Sequence, residues 1–228
     1  MSRVPEQWPR AVVDFSRGER IGIEEAVYCA NKQPAQIEGV LAQHASRSHP
    51  CLLTRLAPAQ LAALPDGWRS RLDYDPVSRT AFFLNGRPYA PEPRVAVVSG
   101  GISDAPICGE AVRTLAFHGV ASTRVEDVGV AGLWRLMERL EEIRRHPVVI
   151  AVAGMEGALF SVLGGLVGGV MIAVPSSVGY GVAAAGELSL KSALASCAPG
   201  IVTVNIDNGY GAACAALRVL GPGGPRPG

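Results

Sequence analysis

Val148–Pro175 reads VVIAVAGMEGALFSVLGGLVGGVMIAVP, with Glu156 as its one charge. Its length and hydropathy make it a candidate membrane span. The composition argues otherwise. Six glycines would weaken a single helix, and both ends are rich in β-branched residues. A carboxylate inside the apolar run would also be costly in lipid. Strand, glycine turn, helix and second strand account for the same residues, so no membrane partner is expected.

The alternation continues outward in both directions. Strands are readable at Val95–Ser99, Val120–Val125, Val148–Ala153, Val170–Val174 and Ile201–Val204. Helices fit Asp104–Phe117, Ala131–Arg145, Gly157–Leu166, Ala183–Ser196 and Gly211–Val219. Repeated βα units with uniformly apolar strands describe an α/β fold: a five-stranded parallel sheet with helices on both faces. Upstream lies a small α+β unit. It has a helix at Gln36–Ala45, a strand at Cys51–Arg55, a short helix at Ala57–Leu64 and a hairpin of Leu72–Tyr74 with Thr80–Leu84. The stretch NGRPYAPEPR (85–94), with three prolines in ten residues, separates the two. The expected organisation is therefore residues 1–93, 94–220 and a disordered glycine- and proline-rich tail, 221–228.

Charge follows this division. Residues 1–94 hold 22 of the 41 charged side chains, and residues 148–228 hold six in 81 positions. So sparse a C-terminal third must be buried on most faces, in a sheet core or against other subunits, which points to a homo-oligomer. The net charge of +1 excludes a non-specific nucleic-acid binder, which needs a basic face. Cys29, Cys51, Cys108, Cys197 and Cys214 are odd in number and form no C-x-x-C pair, so a cytoplasmic, reducing location is expected. MSRVPEQWPR at the start has no apolar run behind it, and no secretory signal is expected.

In open parallel sheets, ligands bind beyond the carboxyl ends of the strands. That rule selects SGGISD (99–104), EDVGVAG (126–132), AGMEG (153–157), PSSVGYG (175–181) and NIDNG (205–209), all polar and glycine-bearing. Ser103 and Asp104 stand at the opening of a helix whose free amides suit phosphate; a capped helix after a tight turn reads equally from the same residues. Glu156 sits in apolar surroundings, which raise a carboxyl pKa and suit a general acid or base. Capping of the helix from Gly157 is its alternative reading. Asn205 and Asp207 offer oxygen ligands for a cation or a ribose, or an Asx-turn. The histidines show no metal-ligand spacing, and no G-x-S-x-G is present. Cys197, in Ser196-Cys197-Ala198-Pro199-Gly200, remains undecided between a buried small hydrophobe and a nucleophile. The other four cysteines read as packing.

Several of these pieces, in order, resemble the LarB family. They are Ile102-Ser103-Asp104-Ala105-Pro106, Glu126 to Leu133, Ala153 to Leu159, Val174 to Gly181, Ser196-Cys197-Ala198 and Val204 to Gly209. Upstream, Val13-Asp14 through Tyr28, Tyr74-Asp75-Pro76 and Arg79-Thr80 resemble it too. The resemblance implies a PurE-like, flavodoxin-like fold, related to aminoimidazole ribonucleotide carboxylase. It also implies a reaction: carboxylation of the pyridinium ring of nicotinic acid adenine dinucleotide and cleavage of its phosphoanhydride. The products would be AMP and pyridinium-3,5-biscarboxylic acid mononucleotide, first intermediate of the nickel-pincer nucleotide. On this chain Cys197 would be the nucleophile and Glu156 an acid/base. Gly101, Ser103, Asp104, Asp127, Gly154, Met155 and Ser177 would bind substrate. Magnesium, with ligands the sequence does not identify, carbon dioxide or bicarbonate as co-substrate, and an octamer complete the expectation.

The chain departs from the family pattern at four places. Phe160 replaces a proline, and Trp134 stands where a histidine is common. Ser99-Gly100-Gly101-Ile102 replaces Thr-Ala-Gly-Thr, and Tyr28-Cys29-Ala30-Asn31-Lys32 replaces Tyr-Gly-Glu-Gly-Lys. Two other functions compete. A purine-pathway carboxylase or mutase would carry a histidine where this chain has Ala158-Leu159-Phe160. A catalytically silent nucleotide-binding subunit would keep dinucleotide binding without turnover.

Overall fold

In the structure, a computed structural model that describes residues 11–88 and 92–221, the apolar stretch 148–175 is two strands joined through a glycine turn and a helix. No helix among the described residues is long and apolar enough to cross a membrane. Residues 89–91 of the expected linker and the tail from 222 lie outside the described residues. The chain divides into two units, Met1–Arg87 and Pro88–Gly228.

The first unit holds α1 (Arg17–Ile21), β1 (Ala26–Tyr28), α2 (Pro34–Ser46), β2 (Cys51–Thr54), α3 (Pro58–Ala62), α4 (Asp66–Arg69), β3 (Leu72–Asp75) and β4 (Thr80–Phe83). Its sheet runs β1-β2-β4-β3. β1 and β2 are parallel, and β4 is antiparallel to both its neighbours, β2 and β3. α2 starts on Pro34, which has no N–H to leave unpaired. It buries Ile37, Val40, Leu41 and His44 along one stripe. The expected hairpin is present with Leu72 opposite Phe83 and Asp75 opposite Thr80. The short strand at 26–28 and the helices at 17–21 and 66–69 were not expected. Each spans five residues or fewer, too few to show a period.

The second unit is built from β5 (Val95–Ser99), α5 (Ala105–Phe117), β6 (Ser122–Val125), α6 (Leu133–Arg144), β7 (Val148–Ala153), α7 (Ala158–Gly164), β8 (Val170–Pro175), α8 (Glu187–Ala195), β9 (Val202–Thr203) and α9 (Gly209–Leu220). The sheet order is β6-β5-β7-β8-β9, and every pairing is parallel. This is the flavodoxin-like order, with its switch point between β5 and β7. All six residues of β7 are buried, as a central strand covered on both faces requires. Cys108, Ala111 and Leu115 of α5 and Ala212, Ala213 and Ala216 of α9 cover one face. Leu136 and Ile143 of α6, Leu159, Phe160 and Leu163 of α7 and Ala193 of α8 cover the other. The helix expected from Ala183 starts only at Glu187; a turn of 3-10 helix with Ala185 and Gly186 in the left-handed region precedes it.

Candidate active site

The loops at the carboxyl edge of the sheet are tied to one another by main-chain groups. Gly100 donates to the Val152 carbonyl at 2.9 Å and Val128 to that of Ser99 at 3.0 Å. Met155 donates to that of Val178 at 2.9 Å and Asp207 to that of Pro175 at 2.8 Å. Ser189 of α8 adds its hydroxyl to the Ala153 carbonyl at 2.6 Å. The edge is therefore one preorganised rim. Approach is closest at Gly154, where a Cβ would stand 1.9 Å from the Val178 carbonyl oxygen, so no side chain fits there. The backbone is strained at the next residue. Met155 holds φ 51°, a conformation that costs an L-residue about 1–2 kcal/mol. Asp127 and Asp207 repeat that left-handed turn after β6 and β9, with φ 57° in each.

Asp104 is the buried carboxylate of this rim, 3% exposed. One oxygen accepts from the Gly101 amide at 3.0 Å, while Oδ1 has no partner among the described residues. Burial pushes its pKa up, against the opposing influence of the Ser176 hydroxyl and the Gly101 amide; the Asp207 charge adds to the rise. An unpaired buried acceptor calls for a donor, such as a ribose hydroxyl, rather than for a phosphate. Ser103 and Ser177 are exposed on the same edge, and the Ser177 amide is held by Asp207 Oδ1 at 2.7 Å. Asp127 is taken by Arg135 of α6. At 205–208 the turn reading holds. Asn205 Oδ1 accepts from the Ile206 amide, and Asn208 Oδ1 caps α9 through Gly211.

Glu156 belongs to this edge, but the apolar surroundings expected of it are absent in one chain: the side chain is exposed. A residue next to a strand end lies outside the sheet's cover even when the flanking sequence is apolar. Nor does it cap α7, whose N-cap is Gly157 with no side-chain bond. Cys197 is exposed as well, whereas Cys29, Cys51 and Cys108 are buried. Burial pushes the thiols of Cys29 and Cys108 up to about 12, which leaves them inert. α8 runs antiparallel to the strands, and its nine residues carry the chain roughly 13 Å toward their amino ends before Cys197. There Ser196 Oγ meets Ser161 Oγ of α7 at 2.8 Å, and Ala198 packs on Gly164 at the end of that helix. Within one chain, Cys197 thus lies beside α7, below the rim that holds Glu156.

Comparison with known proteins now bears on this geometry. Residues 94–226, more than half of the chain, match the AIR carboxylase family. Residues 6–85 match the LarB/PurE-like N-terminal domain. The chain belongs to the LarB family. It is 34% identical over 211 residues to an uncharacterized protein of Methanocaldococcus jannaschii, covering 89% of this chain and 81% of that one. Among solved structures it is similar to a Treponema denticola PurE2 variant, at 23% identity and a TM-score of 0.47. That match covers 57% of this chain and 80% of the other.

A LarB-type N-terminal domain in front of an AIR carboxylase domain makes this chain a carboxylase/mutase-type enzyme with a PurE-like fold. Of the residues that depart from the LarB pattern, Phe160 is fully buried in the core, and Trp134 is exposed in the first turn of α6, beside the Arg135 that holds Asp127. Sequence reasoning missed Ser176 and Arg135. Ser176 continues the parity of Ile172 and Val174, which face α5, and so its hydroxyl meets Asp104 at that helix's start; the period of two contained that signal. Among the described residues no three His, Cys, Asp or Glu side chains come together as a metal site. The described residues of one chain thus hold no side-chain cage for the magnesium that the family resemblance implies.

Proposed function

We propose that this enzyme carboxylates the pyridinium ring of nicotinic acid adenine dinucleotide and hydrolyses its phosphoanhydride. The products are pyridinium-3,5-biscarboxylic acid mononucleotide and AMP. The observation that carries this reading is the exposed thiol of Cys197 in a chain of this family. An aminoimidazole carboxylase, the competing reading, has no use for a cysteine nucleophile. A pyridinium ring is electron-poor and does not attack carbon dioxide. Addition of the Cys197 thiolate makes a neutral, enamine-like dihydropyridine, whose ring carbon forms the new C–C bond to carbon dioxide. Glu156 takes the proton from that carbon, the electron pair returns to the ring, and the thiolate leaves. The sum is ring C–H plus carbon dioxide giving ring carboxylate plus a proton. Water then cleaves the phosphoanhydride.

Preorganised positioning is what the rim supplies. Asp104 Oδ1 suits a ribose hydroxyl, and Ser103 and Ser177 suit phosphate oxygens. Since Cys197 follows the end of α8 that points away from the rim holding Glu156, this reading places two chains at each site, the thiol reaching the ring from a neighbour in a homo-oligomer, an octamer by family resemblance. A thiol that must stay free suits a reducing cytoplasm.

The test is incubation with nicotinic acid adenine dinucleotide, bicarbonate and magnesium, read by mass spectrometry, for the wild type and Cys197→Ala. The wild type is expected to yield the dicarboxylated mononucleotide and AMP, and the variant neither. Its melting temperature should stay unchanged, because an exposed side chain contributes within about 0.5 kcal/mol. Product formation by the variant would remove Cys197 from the reaction. Binding without turnover by the wild type would favour the silent-subunit reading.

A further inference from the structure

The first unit carries a cluster of two histidines that the reaction above leaves unused. The segment of residues 11–21 is held against α2 and the turn after it. Gln43 Nε2 of α2 donates to the Ala11 carbonyl at 3.1 Å, and Val13 packs on the core that α2 helps to build. The Phe15 ring lies 5.1 Å from that of His44 and 5.3 Å from that of His49. The two imidazoles are 5.6 Å apart, and the Arg47 guanidinium stands 4.3 Å from the Phe15 centroid.

The two histidines differ in what would meet a proton. His49 Nε2 faces Glu24 Oε2 at 3.3 Å, and Arg87 stands 3.7 Å from the other oxygen of that carboxylate. A charge on His49 therefore has an acid beside it. His44 is 2% exposed. Its Nδ1 lies 3.3 Å from the His49 carbonyl oxygen and 3.1 Å from that of Pro50; both only accept, so Nδ1 carries the proton. Nε2 is then a bare acceptor, buried and without a partner among the described residues. Protonating it would put a buried N–H with no acceptor, and a positive charge, beside Phe15 and His49 and near Arg47. Burial pushes the His44 pKa down, and the charge of His49 adds to that; the two carbonyls and Glu25 oppose it. Glu25 is itself engaged by the Asp14 amide at 2.5 Å and by Arg17 at 3.5 Å, while Glu24 lies against Gly18 of α1.

We propose that residues 11–21 form a proton-released strap, with Phe15 as its catch over a His44 that must stay neutral while the strap is closed. Opening uncovers His44, which then takes a proton as an ordinary histidine does. Acid therefore favours the open form. The closed-state pKa lies below the ordinary 6.5, so closure is fully favoured above that pH and weakens as pH falls through it. One proton taken up on opening raises the open population about tenfold between pH 7.5 and 5.5. The strap does not depend on the reaction proposed above.

Hydrogen exchange of the full-length chain, read by mass spectrometry and corrected for the intrinsic effect of pH, tests this. Peptides covering residues 11–21 are expected to exchange about tenfold faster at pH 5.5 than at pH 7.5, with β2 and β4 equally protected at both. His44→Asn keeps an N–H for the two carbonyls but does not titrate, and its strap should exchange equally at the two values. His49→Gln keeps a donor for Glu24 and should retain the rise. Phe15→Ala should exchange at pH 7.5 at least as fast as the wild type does at pH 5.5. Equal strap exchange at both pH values in the wild type, the same rise in His44→Asn, or its loss in His49→Gln would overturn the proposal. So would β2 and β4 losing protection together with the strap, because the whole unit would then be opening.

Discussion

Asp104 is where a single side chain has the clearest consequence. Its carboxyl is buried, one oxygen has no partner among the described residues, and burial raises its pKa above the ordinary 3.8. A raised folded-state value means that the native protein holds this proton more tightly than the unfolded chain does. The associated stability is fully present below about pH 4 and is lost as pH rises through the raised value. Asp104→Asn keeps the shape and an acceptor for the Gly101 amide but does not titrate. Chemical denaturation across that range should show the variant gaining on the wild type as pH increases, and then levelling; a constant difference would mean that Asp104 stays ionised when folded. The residue types at the rim were legible in the sequence, since glycine, serine and carboxylate clusters after apolar strands are local signals. Exposure was not. Glu156 reads as desolvated within its apolar stretch, yet it projects from a turn whose neighbours are packed beneath it.

At the scale of elements, α7 shows how packing overrides a family expectation. Phe160, where a proline is usual, fills the space under Gly157, where an added Cβ would stand 3.0 Å from its ring. The ring is fully buried among Leu159, Leu163 and the strands of the sheet. Phe160→Ala should cost about 3–5 kcal/mol, measured by urea denaturation, because the cavity would form inside a closed core. A loss below 1 kcal/mol would show that α7 can collapse into the gap. The start of α8 is a case the periodicity could not reach. Apolar spacing extends the helix back to Ala183, but an added Cβ at Gly186 would meet the Ser176 carbonyl oxygen at 2.8 Å. The chain turns through the left-handed region there instead. Contact with a loop ten residues upstream decides that boundary, and no local pattern carries it.

For the whole molecule, the decisive fact is that Cys197 follows the end of α8 that points away from the rim holding Glu156. Apolar side chains lie exposed on the same unit, among them Ile102, Tyr180, Val182 and Leu194. Surfaces of this kind suit contacts between chains. If each site draws its thiol from a neighbour, chains carrying Cys197→Ala and chains carrying Glu156→Gln should complement each other. Both variants would be inactive alone, and their co-expressed mixture should regain activity at roughly a quarter of the sites, since each site needs one intact residue from each of two chains. A mixture as inactive as its components would place both residues in one chain's site. What the sequence alone determined was the fold class, the five strands, the polar edge and the family. Each of these is written in short stretches, through period, glycine and proline punctuation, and residue type. The strand order, the parallel pairing of β1 with β2, the burial of Asp104 and the separation of Cys197 from Glu156 were decided only by the tertiary structure. They depend on which residues far apart in the chain share a surface, and packing of the whole sheet settles that.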